Sequence, residues 1–248
     1  MPIFASIKLE GLAEEYPKGD WIEPHQHDAH QIVHASAGIM RVFGPGGVWV
    51  VPTGRAVWIP AGSEHSIRCI SQVSMRTVYL RGQHTAFSSQ CAVWNVSTLM
   101  RELIIRVAEK DCRGQQAHIL ALLLSEIEHI DTIPVSLPEP LDENLKRMTA
   151  TLLEHPDDKR TLESWASSLG MSKRSLIRRF QKQTGFTFRQ WRQQARLLSA
   201  LEGLAMGRGV TAVALDVGYE NPSAFIAVFH EAFGVTPGKY FTNNQVNS

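Results

Sequence analysis

No stretch of this 248-residue chain approaches the roughly 18 consecutive apolar residues of a membrane-spanning helix. Cysteine is almost missing: Cys69, Cys91 and Cys112 are odd in number and not closely spaced, which excludes a disulfide scaffold. The opening MPIFASIKLEG has no basic start followed by an apolar stretch, so it does not read as a secretion signal. These absences together lead us to expect a cytoplasmic protein. A fourth absence is local. Between residues 171 and 196 there are eight basic residues and no acidic one, although the whole chain carries a net charge of only +1. Residues 1–140 hold 11 Lys/Arg against 14 Asp/Glu, and residues 141–248 hold 14 against 10. Such asymmetry points to nucleic-acid contact by the second half.

The first ninety residues present short runs rich in Val, Ile and Trp, broken by Gly and Pro, as in QIVHASAGIMRVFGPGGVWVVPTGRAVWIP. This is the pattern of a β-sandwich or barrel. From about 97 to 130 the apolar spacing becomes helical. The two amphipathic helices expected there could cover the edge of the β-domain or pair with a second subunit, so a homodimer is one expectation. IPVSLPEPLDE (133–143), with three prolines, reads as a linker, and the rest reads as helical. The expected fold class is α+β with two domains: a β-barrel with trailing helices over 1–132 (barrel to about 95) and an all-α domain over 144–248.

The second half repeats itself. LESWASSLG (162–170) and VTAVALDVG (210–218) share apolar or small residues at i, i+3, i+4 and i+7 before a glycine. The match then resumes one residue out of step, Phe180 and Gly185 against Phe229 and Gly234, with Thr187 against Thr236. Each unit, about 161–183 and 209–233, reads as a helix, a glycine-bearing turn and a second helix. Ser172 is placed to cap the second helix of the first unit, and Asn221 followed by Pro222 that of the second. This is the helix-turn-helix plan, whose second helix enters the DNA major groove.

Residues 141–242, including GYENPSAFIAVFHEAFGVTPGKYF, resemble the DNA-binding domain of the AraC-type bacterial transcription regulators. The resemblance implies double-stranded DNA as partner, with two helix-turn-helix units on a connecting helix reading successive major-groove faces. Arg174 and Arg178 lie one turn apart with Ile177 on the same side, suited to base edges, while Leu176 and Phe180 should face the core. Lys173, Arg179, Lys182, Arg189 and Arg192 are better placed for phosphates. Ser172, Asn221, Ser223 and Ala224 could add hydrogen bonds or a thymine-methyl contact. The second recognition helix departs from the family: Ala227 stands where members commonly carry Arg or Lys. The second unit is therefore expected to contribute less sequence-dependent energy.

Four of the ten histidines fall in HQHDAHQIVH (25–34). Strand parity puts His25, His27 and Gln31 on one face and His30 and His34 on the other, where the latter two read as surface or interface residues. The spacing Gly19-x5-His25-x-His27-x3-Gln31-x6-Gly38, then Gly54-x5-Pro60-x-Gly62-x2-His65, resembles the two signature motifs of the cupin barrel, often the effector domain of AraC-type regulators. That resemblance implies His25, His27, Gln31 and His65 as ligands of a divalent transition metal, Zn, Ni, Fe or Cu. Cys69 replaces the asparagine that usually ends the second motif, outside the metal shell. Gln31 in place of glutamate leaves the site without a protein negative charge, so a bound ion would favour an anionic effector. A metal-free pocket for a small molecule and a purely structural histidine cluster are the competing readings of the same side chains. The leading function is a transcription regulator whose DNA affinity answers to a small molecule or metal in the cupin domain. The alternatives are a direct metal sensor and a cupin metalloenzyme. Nothing beyond the ligand set reads as a placed acid or base, and Glu64 points away from His65, so no catalytic residues are assigned.

Overall fold

The computed structural model describes residues 7–130, 132–133 and 136–240, so part of the proline-bearing segment, residues 134 and 135, lies outside the described residues. The chain divides into two compact units, Met1–Ser136 and Leu137–Ser248.

Unit 1 is built from two antiparallel sheets. The first runs β1 (Lys8–Tyr16), β8 (Val73–Arg81), β3 (His30–Ala37), β6 (Arg55–Ile59), β9 (Ala92–Asn95) and β10 (Thr132–Ile133) in hydrogen-bonded order. The second contains β5 (Gly47–Pro52), β4 (Ile39–Gly44), β7 (His65–Cys69) and β2 (Trp21–His25) in that order. Two helices follow, α1 (Thr98–Ala108) and α2 (Gln116–Glu128). Ser97 caps α1 through the Met100 N–H.

Alternation along the central strands decides what each sheet face carries. In β3 and β6, Ile32, Ala56 and Trp58 point outward with Val78 and Leu80 of β8. They meet Met100, Leu103 and Ile104 of α1 and Leu120, Leu123 and Leu124 of α2 in one buried cluster. Each such aliphatic side chain, fully buried, contributes about 1.5–3 kcal/mol before entropy is counted. The apolar stripes of both helices therefore lie against their own sheet.

That packing corrects one expectation. His30 and His34 do occupy the outer face, but α1, α2 and the segment before β9 cover it, so both are buried, at 8% and 0% exposure. His30 stacks on Trp58 at 5.1 Å and 13°, and accepts a hydrogen bond at Nδ1 from the Ala61 N–H. His34 Nδ1 donates to the Arg55 carbonyl at 2.9 Å, while its Nε2 is buried and unpaired. Burial pushes the His34 imidazole down to about 4. Within β3 parity correctly sets His30 and His34 opposite Gln31; it cannot say what lies over that face.

Unit 2 is all-helical: α3 (Glu143–Glu154), α4 (Leu162–Ser168), α5 (Lys173–Thr184), α6 (Phe188–Ala205), α7 (Val210–Asp216), α8 (Pro222–Phe233) and α9 (Pro237–Tyr240). The segment leading into it is tied down: Trp191 Nε1 donates to the Pro138 carbonyl, and Gln183 Oε1 accepts from the Leu141 and Asp142 N–H groups. The internal repeat is physical. Thr161 and Gly209 precede α4 and α7, Ser172 and Asn221 cap α5 and α8, and both recognition helices end on a left-handed glycine, Gly185 and Gly234. Leu176 and Phe180 match Phe225 and Phe229, all fully buried. Between the units α6 runs for 18 residues, opened by a capping box of Thr187 and Gln190.

Candidate effector site and nucleic-acid interface

The candidate effector site lies where the two sheets of unit 1 approach one another. β2 ends at His25, opposite His65 at the start of β7. His27 belongs to no strand. It sits in the turn before β3, and its carbonyl accepts from the Gly62 N–H at 2.8 Å, which fastens that turn to the loop leading into β7. The convergence expected from one continuous strand face is thus achieved by a turn and a neighbouring strand. One ligand atom from each of His25, His27 and His65 lies within 4.8 Å of the others. Ring centroids are 4.9 Å apart for His25–His27, 4.3 Å for His25–His65 and 5.5 Å for His27–His65.

Backbone carbonyls orient two of the three rings. His25 Nδ1 approaches the Glu23 carbonyl at 2.7 Å and His65 Nδ1 the Ser63 carbonyl at 2.9 Å. A ring nitrogen facing a carbonyl must carry the proton, which leaves Nε2 with a bare lone pair; histidines that hold metals are oriented in the same way. The Nε2 atoms of His27 and His65 are buried and have no hydrogen-bond partner. Burial holds His65 down to about 4, with its hydrogen bond to Ser63 opposing, and burial followed by the neighbouring His25 lowers His27. Both are therefore neutral near pH 7, the state in which imidazole binds a cation. The donor set fits a divalent transition metal.

Gln31 reaches this region from the first sheet. Its Nε2 lies 3.5 Å from the Tyr79 hydroxyl, and its Oε1 is buried without a partner. The Tyr79 ring stands edge-on to His27 at 5.1 Å, and burial raises the Tyr79 pKa. Tyr79 is a site residue that reading the sequence missed. Its signal is the register of β3 with β8, which places it directly across from Gln31, 48 residues away. Cys69 is buried, its thiol is pushed up to about 11 by that burial, and it is not among the side chains whose ligand atoms converge with the three histidines. Asp28, beside His27, is turned outward to Arg81 at 3.1 Å.

In unit 2 the candidate DNA-contacting residues divide by how they are already engaged. Arg174, Ile177, Arg178, Lys182 and Arg189 are exposed, and the four charged ones make no ion pair among the described residues. Lys173 pairs with Glu163, and Arg179 lies 3.7 Å from Asp142. Ser172 accepts from the Ser175 N–H and Asn221 from the Ser223 N–H, so their oxygens serve the helix caps. Ser223 and Ala224 are exposed on the first turn of α8. Arg192 turns inward: it donates to the Arg160 carbonyl at 3.2 Å and lies over Phe188 at 5.4 Å.

Comparison with known proteins places both units. Residues 6–127 match the model of the AraC-like ligand binding domain, and residues 165–243 that of a helix-turn-helix domain. The HTH-type transcriptional regulator NimR of Escherichia coli is 32% identical over 220 residues, covering 87% of this chain and 81% of that protein. The chain belongs to the AraC-type transcription regulators. The HTH-type transcriptional regulator RipA of Corynebacterium glutamicum is 33% identical over 116 residues, 47% of this chain and 34% of its own length. Among solved structures, ToxT from Vibrio cholerae aligns over 94% of this chain and 98% of its own with a TM-score of 0.41 and 11% identity, too distant to carry an argument. As an AraC-type regulator the chain is not an enzyme, and unit 1 is its ligand-binding domain. Among the described residues, no helix of this regulator is long and apolar enough to cross a membrane.

Proposed function

We propose that this regulator holds a divalent transition metal (Zn, Ni, Fe or Cu) through the Nε2 atoms of His25, His27 and His65, with the Gln31 oxygen as fourth protein donor. A small anionic molecule attracted by that ion would then shift the affinity of unit 2 for double-stranded DNA in the cytoplasm. The carrying observation is the convergence of the His25, His27 and His65 imidazoles, two with Nδ1 set by a backbone carbonyl. Such an ion supplies Lewis acidity, and with no carboxylate in the donor set it keeps its full charge for an anion. The chain's own residues do the rest: Glu23 and Ser63 orient the rings, and Tyr79 stands against both His27 and Gln31. An effector changes DNA occupancy only by binding one arrangement of the protein more tightly than another.

The test is elemental analysis of untagged protein purified without chelator, beside His27→Ala and the exposed control His118→Ala. A near-stoichiometric metal in the wild type and the control, lost in His27→Ala, is the expected outcome. DNA titrations with and without the metal then separate a metal that is itself the signal from one that presents an anion. If no metal is retained, even after reconstitution with Zn, Ni, Fe and Cu, the metal reading fails and the histidines serve a metal-free organic pocket.

A further inference from the structure

One arginine of α6 contacts both the loop that leads into the first helix-turn-helix unit and the turn of the second. Arg196 is half-buried, and its Nε donates to the Pro156 carbonyl, in the loop before α4, at 2.9 Å. The other side of its guanidinium faces the Tyr219 ring, in the turn between α7 and α8, at 5.6 Å. Gly218 completes the junction. A Cβ there would fall 2.8 Å from an Arg196 nitrogen and 2.8 Å from the Asp157 Cα, and its φ of +84° already favours glycine. The turn of the second unit thus lies directly on the loop that leads into the first, with the guanidinium packed beside that contact.

We propose that Arg196 is the positioning residue that locks the two helix-turn-helix units into one relative geometry, so that the regulator accepts its two half-sites at a single spacing. Neighbouring contacts do not duplicate it. Arg192, one turn earlier, holds only the first-unit side through the Arg160 carbonyl, and Arg160 in turn lies 3.6 Å over Trp165 of α4. Lys159 and Glu220 pair across the same boundary at 3.5 Å, but with side chains 80% and 88% exposed they constrain little. A planar guanidinium can donate in its plane and stack with its face at once, whereas a lysine ammonium is a point charge and cannot do both. A rigid link makes engagement of the second half-site an intramolecular event, and a loosened link forfeits part of that gain.

The test uses the full-length regulator and duplexes it selects from a randomised pool. From these come duplexes with either half scrambled and duplexes with one or five base pairs inserted between the halves. Affinities are expressed per active molecule by stoichiometric titration, so a misfolded fraction does not imitate weak binding. Arg196→Met is expected to lower affinity for the intact duplex about ten-fold and for single-half duplexes less than about two-fold. The one-base-pair insertion should cost the variant less than it costs the wild type. Arg196→Lys, which keeps the stem and charge in a conservatively altered junction, should shift both measurements the same way. Equal losses on intact and single-half duplexes would show a role in stability alone and overturn the proposal. So would unchanged spacing preference in both variants, or a selected pool carrying only one half-site.

Discussion

α5 and α8 are each twelve residues long, each begins at a side-chain cap and each ends on a left-handed glycine, yet their exposed surfaces share almost no chemistry. α5 presents Arg174, Arg178 and Lys182, whereas between Asn221 and Gly234 the only ionisable side chains are His230 and Glu231. The positions that agree are those that make the frame: Leu176 and Phe225, Phe180 and Phe229, Gly185 and Gly234. The positions that differ face outward. A fold needs only its caps, turns and inward residues, so duplicated units can keep one backbone while their contacts diverge.

The largest expected effects test the shared frame. Phe180→Ala and Phe229→Ala each empty a fully buried site and should cost about 3–5 kcal/mol, within about 1 kcal/mol of one another, by denaturant unfolding. A large inequality would mean that the units are unequal in stability as well as in chemistry. Next comes the outward difference. On a duplex selected by the protein, at one fixed salt concentration, Arg178→Ala should weaken binding by about 1–3 kcal/mol and Ser223→Ala by less than half as much. The reverse ranking breaks the comparison. Cap removal is smaller: Ser172→Ala and Asn221→Ala should each destabilise unit 2 by about 1 kcal/mol whether or not DNA is present. An effect on DNA affinity well beyond that would give either cap a second role. The subtlest readout is the salt dependence of binding. Lys182→Ala or Arg189→Ala should reduce its logarithmic slope by about 1 each, and Ser223→Ala should leave it unchanged.

Much of this is legible in the sequence. The repeat announced itself because its caps and glycines sit at local, fixed offsets, and the histidine triad because its spacing resembles a known motif. What failed to show was what depends on long-range packing. His30 and His34 fall on the predicted face, but the helices covering that face lie more than sixty residues further on. Tyr79 joins Gln31 only through strand register. Arg192 reads as one more phosphate contact until the Arg160 carbonyl is found within its reach. The route to the triad also differs from the expected one, since His27 arrives in a turn and not along a strand.

His34, sealed beneath α1 with one nitrogen unpaired, ties the stability of unit 1 to acidity. An imidazole held near 4 when folded returns to its ordinary value near 6.5 once exposed, so between those limits the unfolded chain binds a proton that the folded one refuses. Stability from this residue is complete above about pH 6.5 and drains away as the pH falls towards 4, by up to about 3 kcal/mol. In His34→Gln, which keeps a donor for the Arg55 carbonyl but cannot titrate, the unfolding midpoint should fall less steeply over that range. For this domain the proton itself is a denaturant, admitted only when the helix above His34 lets go.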